Sequence, residues 1–453
     1  MLPPSRAALP GGAQVSVPFG FGQPDPDRPG QPAFDMASLG AALQSLGQML
    51  ASGSNAAGPS SDMVSDLARK AIVGRGDPTP TAEQRQAVID AVRLAEVWLD
   101  GVTTLPGGAR EPVTWGRSEW LIATLPAWLR YVEPIADQMR QGVAGLMSGP
   151  DGQPGTQDLQ AMFDELPEQF RAMFPGGIPP EMSTMLGPLM GMMQQLGSVA
   201  FTMQLSQVLA GLACEVVGAT DIGIPLVEDP RCALIPANVR EFGDGIGVNQ
   251  AEVLLYLALR EAAHQRLFAH VTWLRPRIVG AIEEYARGMR LDADQINEAM
   301  REVDISQPQA IQEALAQGLV RPVDTPEQQA ALARLQTLLA LIEGWVEDTV
   351  HEATRDRLES ADALRETMRR RRAAGGPGER AFATLVGMEL RPRAIREATT
   401  IFGALRVRGS VEQRDGLWAH PDLLPTPDDL TDPLGFVDSV LHPGEQPNLD
   451  STS

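Results

Sequence analysis

The feature that most limits the fold is a helical spacing of apolar residues that runs through almost all of the chain between two Gly- and Pro-rich ends. Thr81-Ala-Glu-Gln84 has the form of a capping box, and the stretch behind it carries Val88, Val92, Leu94, Ala95 and Trp98. The same period predicts helices over Glu119–Met147 (interrupted near Pro126 and Pro134), Leu159–Met173, Met182–Val217, Ala251–His270, Pro276–Gly288, Ala293–Val303, Pro308–Gln317, Thr325–Arg372 and Glu379–Leu405. Asn249 with Glu252, and Thr325-Pro-Glu-Gln328, supply N-terminal signals for two of them. Strand character is confined to Asp221–Val248, where Gly243, Gly245 and Gly247 read as turns because no dinucleotide fingerprint spacing is present. The expected fold is therefore mainly α, with at most a small β element.

Gly (44 residues) and Pro (37) concentrate towards the ends of the chain. Residues 1–60, which contain Pro24-Asp25-Pro26-Asp27, are expected to be a disordered tail. A helical domain is expected over 61–425 and a second, acidic disordered tail over 426–453. The opening Met-Leu-Pro-Pro-Ser-Arg has no apolar core of the kind a signal peptide needs. Met182–Val217 is the most membrane-like stretch, but Pro188 and its Gln residues favour a buried helix pair whose methionines fill gaps. Two cysteines, Cys214 and Cys232, exclude a disulfide framework and a Cys-rich zinc site, and suit a reduced cytoplasmic protein. With 58 acidic and 37 basic residues, a net charge of −21, the chain is a poor match for a phosphate backbone or an anionic membrane. The run Arg369–Arg372 precedes Gly375-Gly376-Pro377 and fits the last turn of a helix. Neither a nucleic-acid nor a membrane partner is expected, and the sequence leaves the oligomeric state open.

The chemistry-bearing residues gather on one helix: Arg260-Glu261-Ala262-Ala263-His264-Gln265-Arg266-Leu267-Phe268-Ala269-His270. In a zinc-peptidase helix of the form H-E-x-x-H, two imidazoles one turn apart hold the metal and the Glu activates its water. Glu261 and His264 have that spacing, but Arg260 stands at the first His, and a guanidinium has no lone pair to give a metal. His270 falls where a longer motif puts a third ligand, with Leu267 in place of the Gly that turns the chain. If the helix continues, His270 lies about 120° around the axis from His264 and nearly opposite Glu261. A second helix offers Glu343, Glu347 and His351 at four-residue intervals, and Glu343 is the odd residue in an otherwise apolar stretch. Without a metal, this group is a polar cluster in which Arg260 pairs with Glu261 or Glu343.

The segment 260–275, Arg-Glu-Ala-Ala-His-Gln-Arg-Leu-Phe-Ala-His-Val-Thr-Trp-Leu-Arg, resembles the zincin-like hydrolases of high-GC bacteria, often described as zinc-dependent metalloproteases, one branch of which is associated with deazaflavin coenzyme biosynthesis. Residues 338–346, 382–392, 417–425, 95–100 and 120–126 are similar as well, so the resemblance covers about 61–440. It implies a zincin-like helical domain and a metallopeptidase-type site acting on a peptide or protein substrate. Glu261 would be the catalytic Glu, with His264 and Glu343 as zinc ligands and His270 as a possible replacement for the missing His. The alternative is a catalytically inactive zincin-fold scaffold or interaction protein.

Overall fold

The computed structural model describes residues 61–108, 110–147, 198–288, 290–291, 322–323, 325–390 and 394–443. The helices expected at Leu159–Met173, Ala293–Val303 and Pro308–Gln317, the N-terminal tail and the first part of Met182–Val217 lie outside them. Among the described residues the chain is helical apart from two two-stranded pairings. The elements are α1 (Ser61–Arg75), α2 (Ala82–Asp100), β1 (Val113–Thr114), α3 (Arg117–Met147), α4 (198–213), β2 (Ala233–Leu234), α5 (Pro236–Gly243), α6 (Gln250–His270), α7 (Leu274–Gly288), β3 (Arg290–Leu291), β4 (Pro322–Val323), α8 (Pro326–Thr354), α9 (Ala361–Ala373), α10 (Pro377–Val386), α11 (Ile395–Arg408), α12 (Val411–Gly416) and α13 (Pro433–Leu441).

Local sequence chemistry sets most helix starts. Gln84 N donates to Thr81 Oγ1 (3.2 Å) and Thr81 N to Gln84 Oε1 (2.9 Å), which completes the capping box of α2. Ala251 N donates to Asn249 Oδ1 (2.9 Å) at α6, and Gln328 N to Thr325 Oγ1 (3.2 Å) at α8. Glu252 does not close a box with Asn249; it accepts from Ser360 instead, whose backbone N lies 3.3 Å away. The expected interruptions of α3 do not occur. Pro126 and the residues one turn before each proline, Ile122 and Arg130, are on the exposed face, where the lost backbone hydrogen bond costs less than it would in the core. The long helix expected over Thr325–Arg372 is instead two, α8 and α9, joined by a turn in which Leu358 is buried. No Gly or Pro marks that turn. Residues 426–443, placed by the sequence in a tail, include α13, which packs on α11 and buries Val437.

The strand signal in 221–248 resolves to β2, whose Ala233 and Leu234 pair in parallel with Val113 and Thr114 of β1. β3 and β4 pair antiparallel.

Two helices form the middle of the molecule. Every residue of α6 from Tyr256 to Phe268 is buried, as is every residue of α8 from Leu338 to Val350. A helix covered on all sides is a core helix, not an amphipathic surface one. α8 packs against α6, α7 and α11, and α6 also packs against α2. The approach of α8 to α11 is closest at Gly344, where a Cβ would stand 2.6 Å from Ala398 Cβ and 2.8 Å from the Ala398 carbonyl carbon. Gly344→Ala should therefore destabilise the protein by about 1–3 kcal/mol, because the helices must separate. Gly280→Ala on α7, where a Cβ meets nothing within 4 Å, should stabilise it by about 0.5–1 kcal/mol through helix propensity. Urea denaturation of the two variants measures both.

Candidate functional site

Burying α6 and α8 on all sides also buries their polar residues, and these need partners. α8 brings in three carboxylates. Glu347 accepts from Arg369 Nε (2.8 Å), and Asp348 from Arg406 Nη2 (3.0 Å) and Arg414 Nη1 (3.0 Å). Glu343, 3% exposed, is the centre of the third set. Arg260 Nη2 donates to its Oε2 at 2.7 Å and Arg372 Nη2 to its Oε1 at 2.6 Å, while His264 Nε2 stands 3.0 Å from Oε1. His264 Nδ1 lies 2.8 Å from the carbonyl oxygen of Arg260, one helical turn back. Both ring nitrogens of His264 thus face oxygen atoms, one of the backbone and one of a carboxylate.

The electrostatics follow from this arrangement. Burial by itself would push the Glu343 carboxyl up, but Arg372, His264 and Arg260 hold it far below the ordinary carboxylate range. Burial works against the Arg260 charge, yet Glu343, Tyr256 and Glu347 more than offset it and keep the guanidinium protonated. Glu261, one residue from Arg260, faces elsewhere. Its Oε2 accepts from Thr220 Oγ1 (2.6 Å) and Thr220 N (3.0 Å), and its Oε1 from Gln265 Nε2 (3.0 Å) and the backbone N of Ala233 (3.4 Å). Burial raises the Glu261 carboxyl, opposed by the Gln265 and Thr220 hydrogen bonds and by His264. Glu261 thus ties the 218–233 loop to α6. The same loop crosses Glu343 at Gly223 (φ 74°), where a Cβ would lie 3.2 Å from Glu343 Oε1; only glycine combines that backbone with that approach.

Of the residues singled out in the sequence, His264 and Glu343 meet, with Arg260 between α6 and α8 as their common partner. Glu261 lies on the same helix but is committed to Thr220 and Gln265. His270 is separate: α6 runs through Leu267 without a break and leaves His270 exposed at its last residue. Arg372 was missed as a site residue, and Arg369 and Arg371 as its neighbours. Arg371 Nη1 donates to Asp221 Oδ1 at 2.8 Å, so three of the four residues in the Arg369–Arg372 run face buried carboxylates, and Arg370 alone pairs on the surface, with Glu366. The available signal was the excess of carboxylates on an apolar helix with a run of Arg on the next one.

A cleft of about 530 Å³, including its solvent-open mouth, lies beside the cluster; Glu343, Arg371 and Arg372 are among its lining, with Ile222, Leu339 and Phe382 as its apolar side.

A family model described as zincin-like metallopeptidase matches residues 60–437, and the chain belongs to that family. Its fold is similar to that of a protein from Chloroflexus aurantiacus described as a candidate hydrolase with a novel fold, with a TM-score of 0.56 and 17% identity over 83% of this chain and 97% of that one. No curated protein matches it. No described helix is long and apolar enough to cross a membrane.

The family implies zinc, and the residues present do not fit it. Three donors with free lone pairs and an open position are the minimum of a catalytic zinc site. Here position 260 is a guanidinium, both oxygens of Glu343 accept from guanidinium groups, and the Nε2 of His264 is turned to the same carboxylate. Among the described residues no three His, Cys, Asp or Glu side chains are placed to share a metal.

Removing one partner from a buried ionic cluster leaves uncompensated charge, so Glu343→Ala should cost about 3–5 kcal/mol. The pH dependence has a definite sign. A carboxyl with a lowered folded pKa stabilises fully above its unfolded value, about 4.3, and that contribution is lost as the pH falls through the folded value. Asp221 and Asp415, which are lowered too, act in the same direction. Stability to urea should therefore fall from pH 5 to pH 2, and fall less steeply in Glu343→Gln.

Proposed function

We propose that this chain retains the zincin-like fold as a catalytically inactive scaffold or interaction protein, in which ion pairs hold the place that zinc chemistry would need. The observation that carries the reading is the 2.7 Å hydrogen bond from Arg260 to Glu343, which puts a cation without a lone pair at the first ligand position. The commitment of Glu261 to Thr220 and Gln265 supports it, because a general base needs a free face towards a water. The unpaired thiols of Cys214 and Cys232 suit a reducing, cytoplasmic setting.

The competing reading is a zinc-dependent metallopeptidase with a degenerate R-E-x-x-H motif. His264 and Glu343 would hold the metal, Glu261 would act as base, and a peptide or protein would be the substrate. Family membership is the observation in its favour.

Metal analysis separates the two. Protein expressed in zinc-supplemented medium and dialysed against metal-free buffer should retain well under one zinc per chain. Stoichiometric zinc that disappears in His264→Ala would overturn the scaffold reading.

A further inference from the structure

We infer that Arg372 is the second half of a metal replacement: together Arg260 and Arg372 bring to Glu343 the two positive charges that a divalent cation would bring, so restoring a metal centre takes substitution at both positions. The inference rests on the scaffold reading above and adds a residue that lies outside the Arg260–His264 motif.

The geometry assigns the two guanidinium groups different places. Arg260 reaches Glu343 Oε2 from the same turn-to-turn register as His264, four residues on, so positions 260 and 264 flank one carboxylate. Arg372 arrives from α9 and donates to Oε1, the oxygen that His264 Nε2 also faces at 3.0 Å. A zinc ion bound by His264 and Glu343 would lie about 2.0–2.2 Å from a nitrogen and an oxygen of these two groups. It would then be close to the Arg372 guanidinium and repelled by it in a poorly solvated site. Arg372 is also the cluster's outer member. Its side chain is 19% exposed, against 7% for Arg260 and 1% for His264. Arg372 and Glu343 line the cleft described above, so Arg372 covers the side from which a ligand would approach the carboxylate. Its Nε is shut off from solvent and has no hydrogen-bond partner, as expected of a side chain held by one charge contact.

Substituting Arg260 alone therefore leaves a cation on the metal's oxygen. His264 turns its Nε2 to the Glu343 carboxylate while its Nδ1 faces a backbone carbonyl, the contact that commonly fixes the ring of a zinc-bound histidine.

Four proteins test this: the natural chain, Arg260→His, Arg260→His/Arg372→Ala, and the last with His264→Ala added. Each is checked for native helicity and a cooperative melt, then titrated with Zn²⁺ against a chromophoric chelator. The double variant is expected to take up about one zinc per chain, and the added His264→Ala to abolish it. Arg260→His alone should show at least about tenfold weaker binding, since the like charge remains. Equal binding by the single and double variants would overturn the role of Arg372, as would no binding by a folded double variant. Arg260→His/Arg372→Gln replaces the alanine variant if that one fails to fold. Stoichiometric zinc in the natural chain would instead defeat the scaffold reading itself, so the two failures are distinguishable.

Discussion

A carboxylate in the middle of a helix that is buried on every side must be neutralised by something, and in this protein Glu343 decides what surrounds it. Isolated, it would be among the most costly groups in the fold. Its neutralisation draws in Arg260 and His264 from α6 and Arg372 from α9, and it requires a glycine where the 218–233 loop crosses above. The same logic extends along α8, where Glu347 recruits Arg369 from α9 and Asp348 recruits Arg406 and Arg414 from α11 and α12. One face-by-face requirement thus places four other helices around a single central one.

Zinc and guanidinium solve this requirement differently. A metal draws lone pairs inward to one point, and it exchanges with solvent species at an open position. A guanidinium presents donors in a fixed planar fork, is tethered to its own helix and exchanges with nothing. Both solutions would need the turn containing 260 and 264 to face position 343, so the ion-pair reading proposed above asks for no departure from the fold that places the chain in its family.

Much of this was legible in the sequence. The helical period gave the architecture, and the capping residues Thr81, Asn249 and Thr325 marked three helix starts at the residues observed. The anomaly of a lone Glu343 in an apolar stretch identified the centre, and Arg260 identified the departure from a metal motif. What was hidden depends on tertiary context. The turn between α8 and α9 contains no Gly or Pro and is stabilised by burial of Leu358 and by the contact of Ser360 with Glu252, 108 positions earlier. α3 passes through two prolines, and the residues one turn before them, Ile122 and Arg130, are exposed. Arg372 does lie in the last turn of its helix, as the Arg run predicts, but its pairing with Glu343 on another helix is a tertiary contact that the run does not show, and β1 was too short to show a period.

The distribution of partners along α8 also bears on how the molecule comes apart. Its three carboxylates are answered by side chains from α6, α9, α11 and α12, so none of these four helices can detach without stranding a charge in a nonpolar interior. Stepwise fraying is thereby penalised at these four edges, which ties them to α8 in one cooperative unit instead of a series of independent local openings.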